Sequence, residues 1–290
     1  MWDTTGDMQK HVMANEDVYN AAYMPLKDAL AQAEYVTNLH DIDTLHLTDE
    51  WWNQSFIDQA TMLDGKLYST VDYINMMGYT YGNVLYFNKD MFEKNGWKIP
   101  QTWTEFTELC ETIKTSGVQP LYFGYKDTWT CLAPWNALAV GLSPSDTCAQ
   151  VNAGKTTFSK EYRETAEKIK TLLDYCEPNP YAYGYNDACT AFARGQAAMY
   201  PIGSYAVPQI KSVNPDMNID SFVFPANDDE KDNVLNSGVD LQFCVMKNSK
   251  NKEAVYEVLR YLYEDETFVQ VMSDLFNDYF GLTDTKLAGV

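Results

Sequence analysis

Apolar residues recur along the chain in two rhythms that alternate. A period of about two, or a short unbroken apolar run, marks strands, and a period of about 3.6 marks amphipathic helices. Residues 84–87, Val-Leu-Tyr-Phe, form a β-favouring run. Asn88 then offers a helix cap, residues 89–94 read as a short helix, and Gly96 supplies its stop. Thr102 and Glu105 have the spacing of a capping box, which predicts mutual hydrogen bonds between the two residues. The helix they open carries Phe106, Leu109, Cys110 and Ile113 on one stripe and ends near Gly117. Residues 118–123 read as the next strand, and Ala166, Ile169, Leu172, Leu173 and Cys176 fall at helical spacing. Asn186 or Asp187 caps a further helix stopped at Gly195, followed by a strand over 197–202 and a turn at Gly203-Ser204. Residues 241–246 read as a buried strand, and Ser249 or Asn251 caps a helix with Val255, Val258, Leu259 and Leu262 on its apolar stripe. Near the N-terminus, residues 7–14 and 29–33 read as helical. Residues 18–23 read as a strand turning at Pro25, and Gly65 to Val71 as a turn and strand. Regular alternation of this kind predicts an α/β fold.

Composition narrows the chemistry. The 290 residues allow about two domains. A formal net charge of -20 opposes phosphate backbones and anionic lipid, so no nucleic-acid partner is expected. The six cysteines include no Cys-x-x-Cys pair, and His40 and His46 stand in no zinc-binding frame, so neither a metal nor a cofactor is expected. Ala153-Gly154-Lys155-Thr156 has the tail of a phosphate loop, but Ala149 replaces the glycine that opens the cradle. No Gly-x-Ser-x-Gly elbow is present, and nothing singles out a catalytic pair among 41 carboxylates. No apolar run approaches the ~20 residues that span a bilayer; the nearest, 132–142, contains Pro134. The first residues, Met-Trp-Asp-Thr-Thr-Gly-Asp, lack a basic start and an apolar centre. With 21 Tyr and 7 Trp, aromatic residues are abundant enough for both core packing and a recognition surface.

Three stretches in order carry a more specific signal. They are Asp64-Gly65-Lys66-Leu67-Tyr68 with NVLYFNKDMFEKNGW at 83–97 and IPQTWTEF at 99–106, then TAFARGQAAMYPIGSYA at 190–206, then NSGVDLQFCVMKNSKNKEAVYEVLRYL at 236–262. Together they resemble the extracytoplasmic carbohydrate-binding proteins of bacterial ABC importers, the maltose and multiple-sugar group. WWNQSFID at 51–58 is similar to Gram-positive members. The resemblance implies two α/β lobes joined by crossing strands with a ligand cleft between them. Lobe one would comprise residues 1–84 and 243–290, and lobe two residues 85–242. It also implies that the chain starts downstream of a signal segment and of the first strand and helix of lobe one, and ends before the final helices. A monomeric, non-catalytic binder is expected, periplasmic or anchored outside the cell as a lipoprotein, delivering a carbohydrate to the membrane permease subunits of an importer. A non-sugar solute such as a polyamine or peptide is the alternative within the fold, and a glycoside hydrolase the alternative outside it. By motif position the resemblance places a stacking aromatic at Tyr205, ligand-facing residues Asp127 and Trp129 in GYKDTWT, and carboxylates at Asp240 and Asp72. Tyr79, Tyr81 and Trp51 are further candidates, whereas Phe87, Phe92 and Trp103 are assigned to packing.

Overall fold

The computed structural model describes residues 21–25, 36–41, 61, 65–68, 83–236 and 241–264. The described elements, in chain order, are strands β1 (Ala21–Pro25) and β2 (Asn83–Asn88), helices α1 (Lys89–Asn95) and α2 (Trp103–Thr115), and strand β3 (Gln119–Leu121). Helices α3 (Leu132–Leu142), α4 (Thr147–Asn152), α5 (Phe158–Glu161), α6 (Arg163–Leu172) and α7 (Tyr185–Ala193) follow, then strand β4 (Ala197–Gly203) and helix α8 (Ala206–Val213). Strands β5 (Ile219–Phe222) and β6 (Leu241–Val245) and helix α9 (Lys252–Glu264) complete the set. The chain divides into two compact units, Met1–Thr80 with Gly238–Val290, and Tyr81–Ser237. The expected helices over 7–14 and 29–33 lie outside the described residues.

In the first unit, β1 and β6 pair antiparallel with Ala21 opposite Val245 and Pro25 opposite Leu241. The strand extends to Pro25, two residues beyond the end expected from the sequence. Cys244, Val245 and Met246 are buried, and α9 turns Val255, Tyr256 and Leu259 inward. Val258, between them on the same helix, is 56% exposed.

The second unit is built on a four-stranded sheet of order β3-β4-β2-β5. β3 runs parallel to β4, and β2 is antiparallel to both β4 and β5. Side chains alternate across the sheet. Leu85, Phe87 and Leu121 join the main core with Phe106, Leu109, Cys110 and Ile113 of α2, Leu138 of α3 and Leu172 of α6. Tyr86 and its register partner Tyr200 lie outside that cluster, with Tyr200 packed against Phe192 of α7 at 5.9 Å. Helices thus cover both faces of the sheet, and all seven residues of β4 are buried, the pattern of a strand covered on both sides.

Local signals explain most element ends. Asn88 Oδ1 accepts the Met91 N–H at 3.0 Å to cap α1. Thr102 Oγ1 accepts the Glu105 N–H at 3.2 Å, but the Glu105 carboxylate reaches Gln101 N (2.8 Å) rather than Thr102, so only half of the expected capping box forms. The remaining donors of α2 are met from afar: Trp103 N donates to Asn227 O at 3.0 Å and Thr104 N to Asp228 Oδ1 at 2.8 Å. That donation is the first cause holding the Asp228 carboxyl below its usual range. β3 is shorter than the expected 118–123 because its outer side is taken by a non-strand segment. Leu121 N donates to Tyr175 O (3.1 Å), and Phe123 N to the Glu177 carboxylate (2.9 Å). Of the residues at helical spacing along α6, Leu172 is buried and Ala166 is exposed, with Thr165 turned inward beside it.

Phe106 is fully buried, 5.2 Å from Phe224 and 5.7 Å from Trp103. Phe106→Ala should lower stability by about 3–5 kcal/mol, and Thr102→Ala by about 1 kcal/mol, as measured by urea unfolding of the purified chain.

Candidate functional site

The site begins at the sheet's parallel pair. Because β3 and β4 run in the same direction, the loops that follow them leave from one end of the sheet, where open α/β folds place ligands. α7 precedes β4 and connects to it through a tight turn at Gly195, so its N-terminus returns to that same end. Residues 122–131, Gly203 to Tyr205 and the start of α7 therefore converge.

The loop after β3 is fixed by its own hydrogen bonds. Asp127 N donates to Gly124 O at 3.0 Å and Thr130 N to Asp127 O at 2.9 Å. The Thr130 hydroxyl lies between the carbonyls of Gly124 (3.0 Å) and Asp127 (2.9 Å). This tight turn passes into a 3-10 helix, Thr128–Cys131, that presents Trp129 at 47% exposure. The loop also grips α7. Lys126 N donates to Tyr183 O at 3.0 Å, and the Tyr185 N–H donates to Asp127 Oδ2 at 2.7 Å. The approach is close enough to demand glycine on both sides. A Cβ on Gly124 would lie 2.8 Å from Gly184 O, and one on Gly184 would lie 2.6 Å from Asp127 Oδ2. The cap of α7 is thus Gly184, with Asp187 accepting the Gly184 N–H at 2.9 Å from the third helical position. Neither Asn186 nor Asp187 is the cap that the sequence suggests, because Asp127 supplies the helix start from another loop.

Three aromatic rings meet there. Trp129 lies 5.1 Å from Tyr185 and 5.8 Å from Tyr205, and Tyr185 lies 6.2 Å from Tyr205, with interplanar angles of 48°, 54° and 46°. The Tyr185 hydroxyl reaches the Tyr205 carbonyl at 3.4 Å. A Cβ on Gly203 would collide with the Tyr205 ring, so the ring lies directly over that glycine. Tyr205, Trp129 and Asp127, three of the residues expected at the site, are thus brought together, with Asp127 engaged in holding α7. Asp240, Asp72, Tyr79, Tyr81 and Trp51 lie outside the described residues. Tyr185 was not anticipated. Its signal was the Gly184-Tyr185 pair ahead of Asp187, which reads as a capping segment and conceals an aromatic at the first helical position. The rings offer apolar faces with polar tips. Among the described residues no group of three or more His, Cys, Asp or Glu could hold a metal ion.

Behind the loop, Glu177 is 5% exposed. One carboxylate oxygen accepts the Phe123 N–H, and the other is buried without a hydrogen-bond partner. Burial pushes its pKa from the ordinary 4.5 up to about 7. Its neighbours Tyr122 and Cys176 are both pushed up to about 12 and stay neutral in that range.

The sequence profile of the bacterial extracellular solute-binding proteins matches residues 7–267. The chain belongs to that family. A multiple sugar-binding protein of Streptococcus mutans is 28% identical over 226 residues, covering 75% of this chain and 50% of the relative. The sn-glycerol-3-phosphate-binding periplasmic protein UgpB of Rhizobium meliloti is 25% identical over 238 residues, covering 74% of this chain and 52% of the relative. The chain spans about half the length of the curated relatives it matches. Among solved structures, apo RafE of Streptococcus pneumoniae superposes with a TM-score of 0.70 at 23% identity over 100% of this chain and 74% of that one. RafE in complex with raffinose gives a TM-score of 0.73 at 23% identity over 97% of this chain and 72% of that one. These likenesses show the fold, a mixed helix and sheet architecture of the solute-binding type.

The raised Glu177 pKa sets the direction of a pH effect. A carboxyl that is easier to protonate when folded contributes stability fully below its unfolded pKa, and that contribution is lost as pH rises through about 7. The wild-type melting temperature should therefore fall between pH 5 and pH 8 more than that of Glu177→Gln, as read from thermal melts of both proteins; equal slopes would reject the assignment.

Proposed function

We propose that this protein captures a carbohydrate and delivers it to the permease of an ABC importer, without catalysing a reaction on it. The carrying observation is the half-exposed Trp129–Tyr185–Tyr205 cluster at the ends of the parallel β3–β4 pair. A sugar ring is apolar on its C–H faces and polar at its rim. Flat aromatic faces with hydroxyl tips complement both properties in one contact. Asp127 acts here by position, holding the Tyr185 backbone so that its ring stays beside Trp129. By their motif positions Asp240 and Asp72, with Tyr79, Tyr81 and Trp51, are proposed to supply further ligand contacts. Family relatives support a sugar: the multiple sugar-binding protein of Streptococcus mutans, RafE in complex with raffinose, and a Bacillus licheniformis sugar transporter in complex with stachyose. The reading includes a monomer held outside the cytoplasmic membrane, as an anchored lipoprotein or in a periplasm.

Tryptophan fluorescence titration tests the reading, with galactose, raffinose and stachyose as saccharides and sn-glycerol-3-phosphate, spermidine and a dipeptide as controls. A saturable response to one saccharide class is expected. Trp129→Ala, Tyr185→Ala and Tyr205→Ala should each weaken it by roughly tenfold or more, which is about 1.4 kcal/mol, while the far-UV spectrum is unchanged. Undiminished affinity in all three variants would remove the cluster from the site. A response to a control alone would reassign the ligand class, and release of monosaccharides during the titration would indicate a hydrolase.

A further inference from the structure

A second aromatic recess lies on the second unit and shares no lining residue with the Trp129–Tyr185–Tyr205 cluster. It is an open hollow of about 460 Å³ among Trp135 of α3, Phe158 and Tyr162 of the α5–α6 segment, and Arg163, Glu167 and Lys170 of α6. Its rings form an ordered platform. Phe158 and Tyr162 are nearly parallel, 5.8 Å apart and 6° between planes, and Trp135 stands edge-on to Tyr162 at 5.9 Å. At that separation the parallel pair is offset, which leaves part of each face uncovered, and Phe158 is 48% exposed. The junction is held rigid. Ser143 donates to the Glu161 carbonyl at 3.0 Å, and the Thr156 hydroxyl donates to the Glu161 carboxylate. Polar groups border the rings in a line, because residues 163, 167 and 170 share one face of α6. Their side chains make no ion pair among the described residues.

We infer that this recess is a second saccharide-binding site, a conclusion that rests on the carbohydrate reading above. The argument turns on the mixed charge of the rim. An anionic ligand would meet Glu167, and a cationic one would meet Arg163 and Lys170. A neutral polyhydroxylated ligand satisfies both, since its hydroxyls donate to the carboxylate and accept from the guanidinium and ammonium groups. Size agrees. From residue 163 to 170 the helix rises about 10.5 Å at ~1.5 Å per residue, which is long for a single amino acid and suited to two or three linked sugar rings. The volume lies within the ~300–1,000 Å³ of small-molecule pockets. An open recess without enclosing walls implies weaker binding than at the first cluster.

Saturation-transfer NMR on the full chain, with galactose, raffinose and stachyose at millimolar concentration, tests the site. The Trp129→Ala/Tyr205→Ala double variant should retain a saccharide signal in the millimolar range. Adding Phe158→Ala, a change at an exposed residue, should reduce that signal at least fivefold. Should that triple variant lose its far-UV spectrum, Arg163→Ala/Lys170→Ala in the same background makes the same test. A wild-type signal that disappears in the double variant, or one that persists unchanged after the recess is altered, overturns the second site and leaves the first intact. The absence of any saccharide signal from the wild type overturns both.

Discussion

One hydrogen bond organises the candidate site: the Asp127 carboxylate accepting the backbone N–H of Tyr185 at 2.7 Å. It joins a loop to a helix 58 residues further along the chain. A helix start leaves N–H groups without internal partners, and an anionic acceptor there is favoured by both hydrogen bonding and the helix dipole. The bond is possible only because Gly124 and Gly184 bring the two backbones into contact. The arrangement of the Trp129–Tyr185–Tyr205 cluster follows from that junction. It fixes where the 3-10 helix carrying Trp129 begins, and it fixes which way Tyr185 leaves α7.

The junction needs its own foundation, and the sheet supplies it. β3 is an edge strand of three residues, which by itself is a weak support. Its exposed side is closed by the segment around Tyr175 to Glu177, which accepts from Leu121, Phe123 and the Gln119 side chain. Edge strands left open invite pairing with other chains. Here the covering segment also ends β3 early, which releases residues 122–127 to turn toward α7. The unsatisfied second oxygen of Glu177 is the local cost of that arrangement, and its raised pKa is the physical consequence of burying a carboxyl with one partner.

Legibility from sequence divides along the same line. Caps, stops and core stripes that depend on neighbouring residues were readable: Asn88, Gly96, Thr102 and the Phe106–Ile113 stripe all do what their spacing indicates. Features set by distant partners were not. The cap of α7 and the end of β3 each depend on a residue contributed from elsewhere, and the Glu105 carboxylate takes the neighbouring Gln101 N–H in place of that of Thr102. Ala166 and Val258 show a different limit, since helical spacing identifies a stripe but its edges are set by what packs against it. Motif position singles out Trp129 and Tyr205, and the structure brings their rings within 5.8 Å of one another. Tyr185 was hidden because a tyrosine at a helix start has no periodicity of its own.

The aromatic cluster is ordered by the protein's own contacts. Trp129 sits on a turn held by the Thr130 N–H, which donates to the Asp127 carbonyl, and by the Thr130 hydroxyl, which lies between the Gly124 and Asp127 carbonyls. Tyr205 lies over Gly203, where any side chain would displace it, and Tyr185 is fixed at its backbone by Asp127 and at its hydroxyl by the Tyr205 carbonyl. Ordering a flexible side chain on binding costs ~0.5–1.5 kcal/mol. Under the proposed carbohydrate reading, three rings already ordered avoid most of that loss. The same reasoning ranks the two aromatic surfaces of this unit. At the recess formed by Trp135, Phe158 and Tyr162, the rings are ordered but the charged rim is made of exposed side chains on α6. Those side chains must lose freedom to engage a hydroxyl. In the proposed reading, rigidity of the polar groups, more than the number of rings, is what would separate a principal site from an ancillary one.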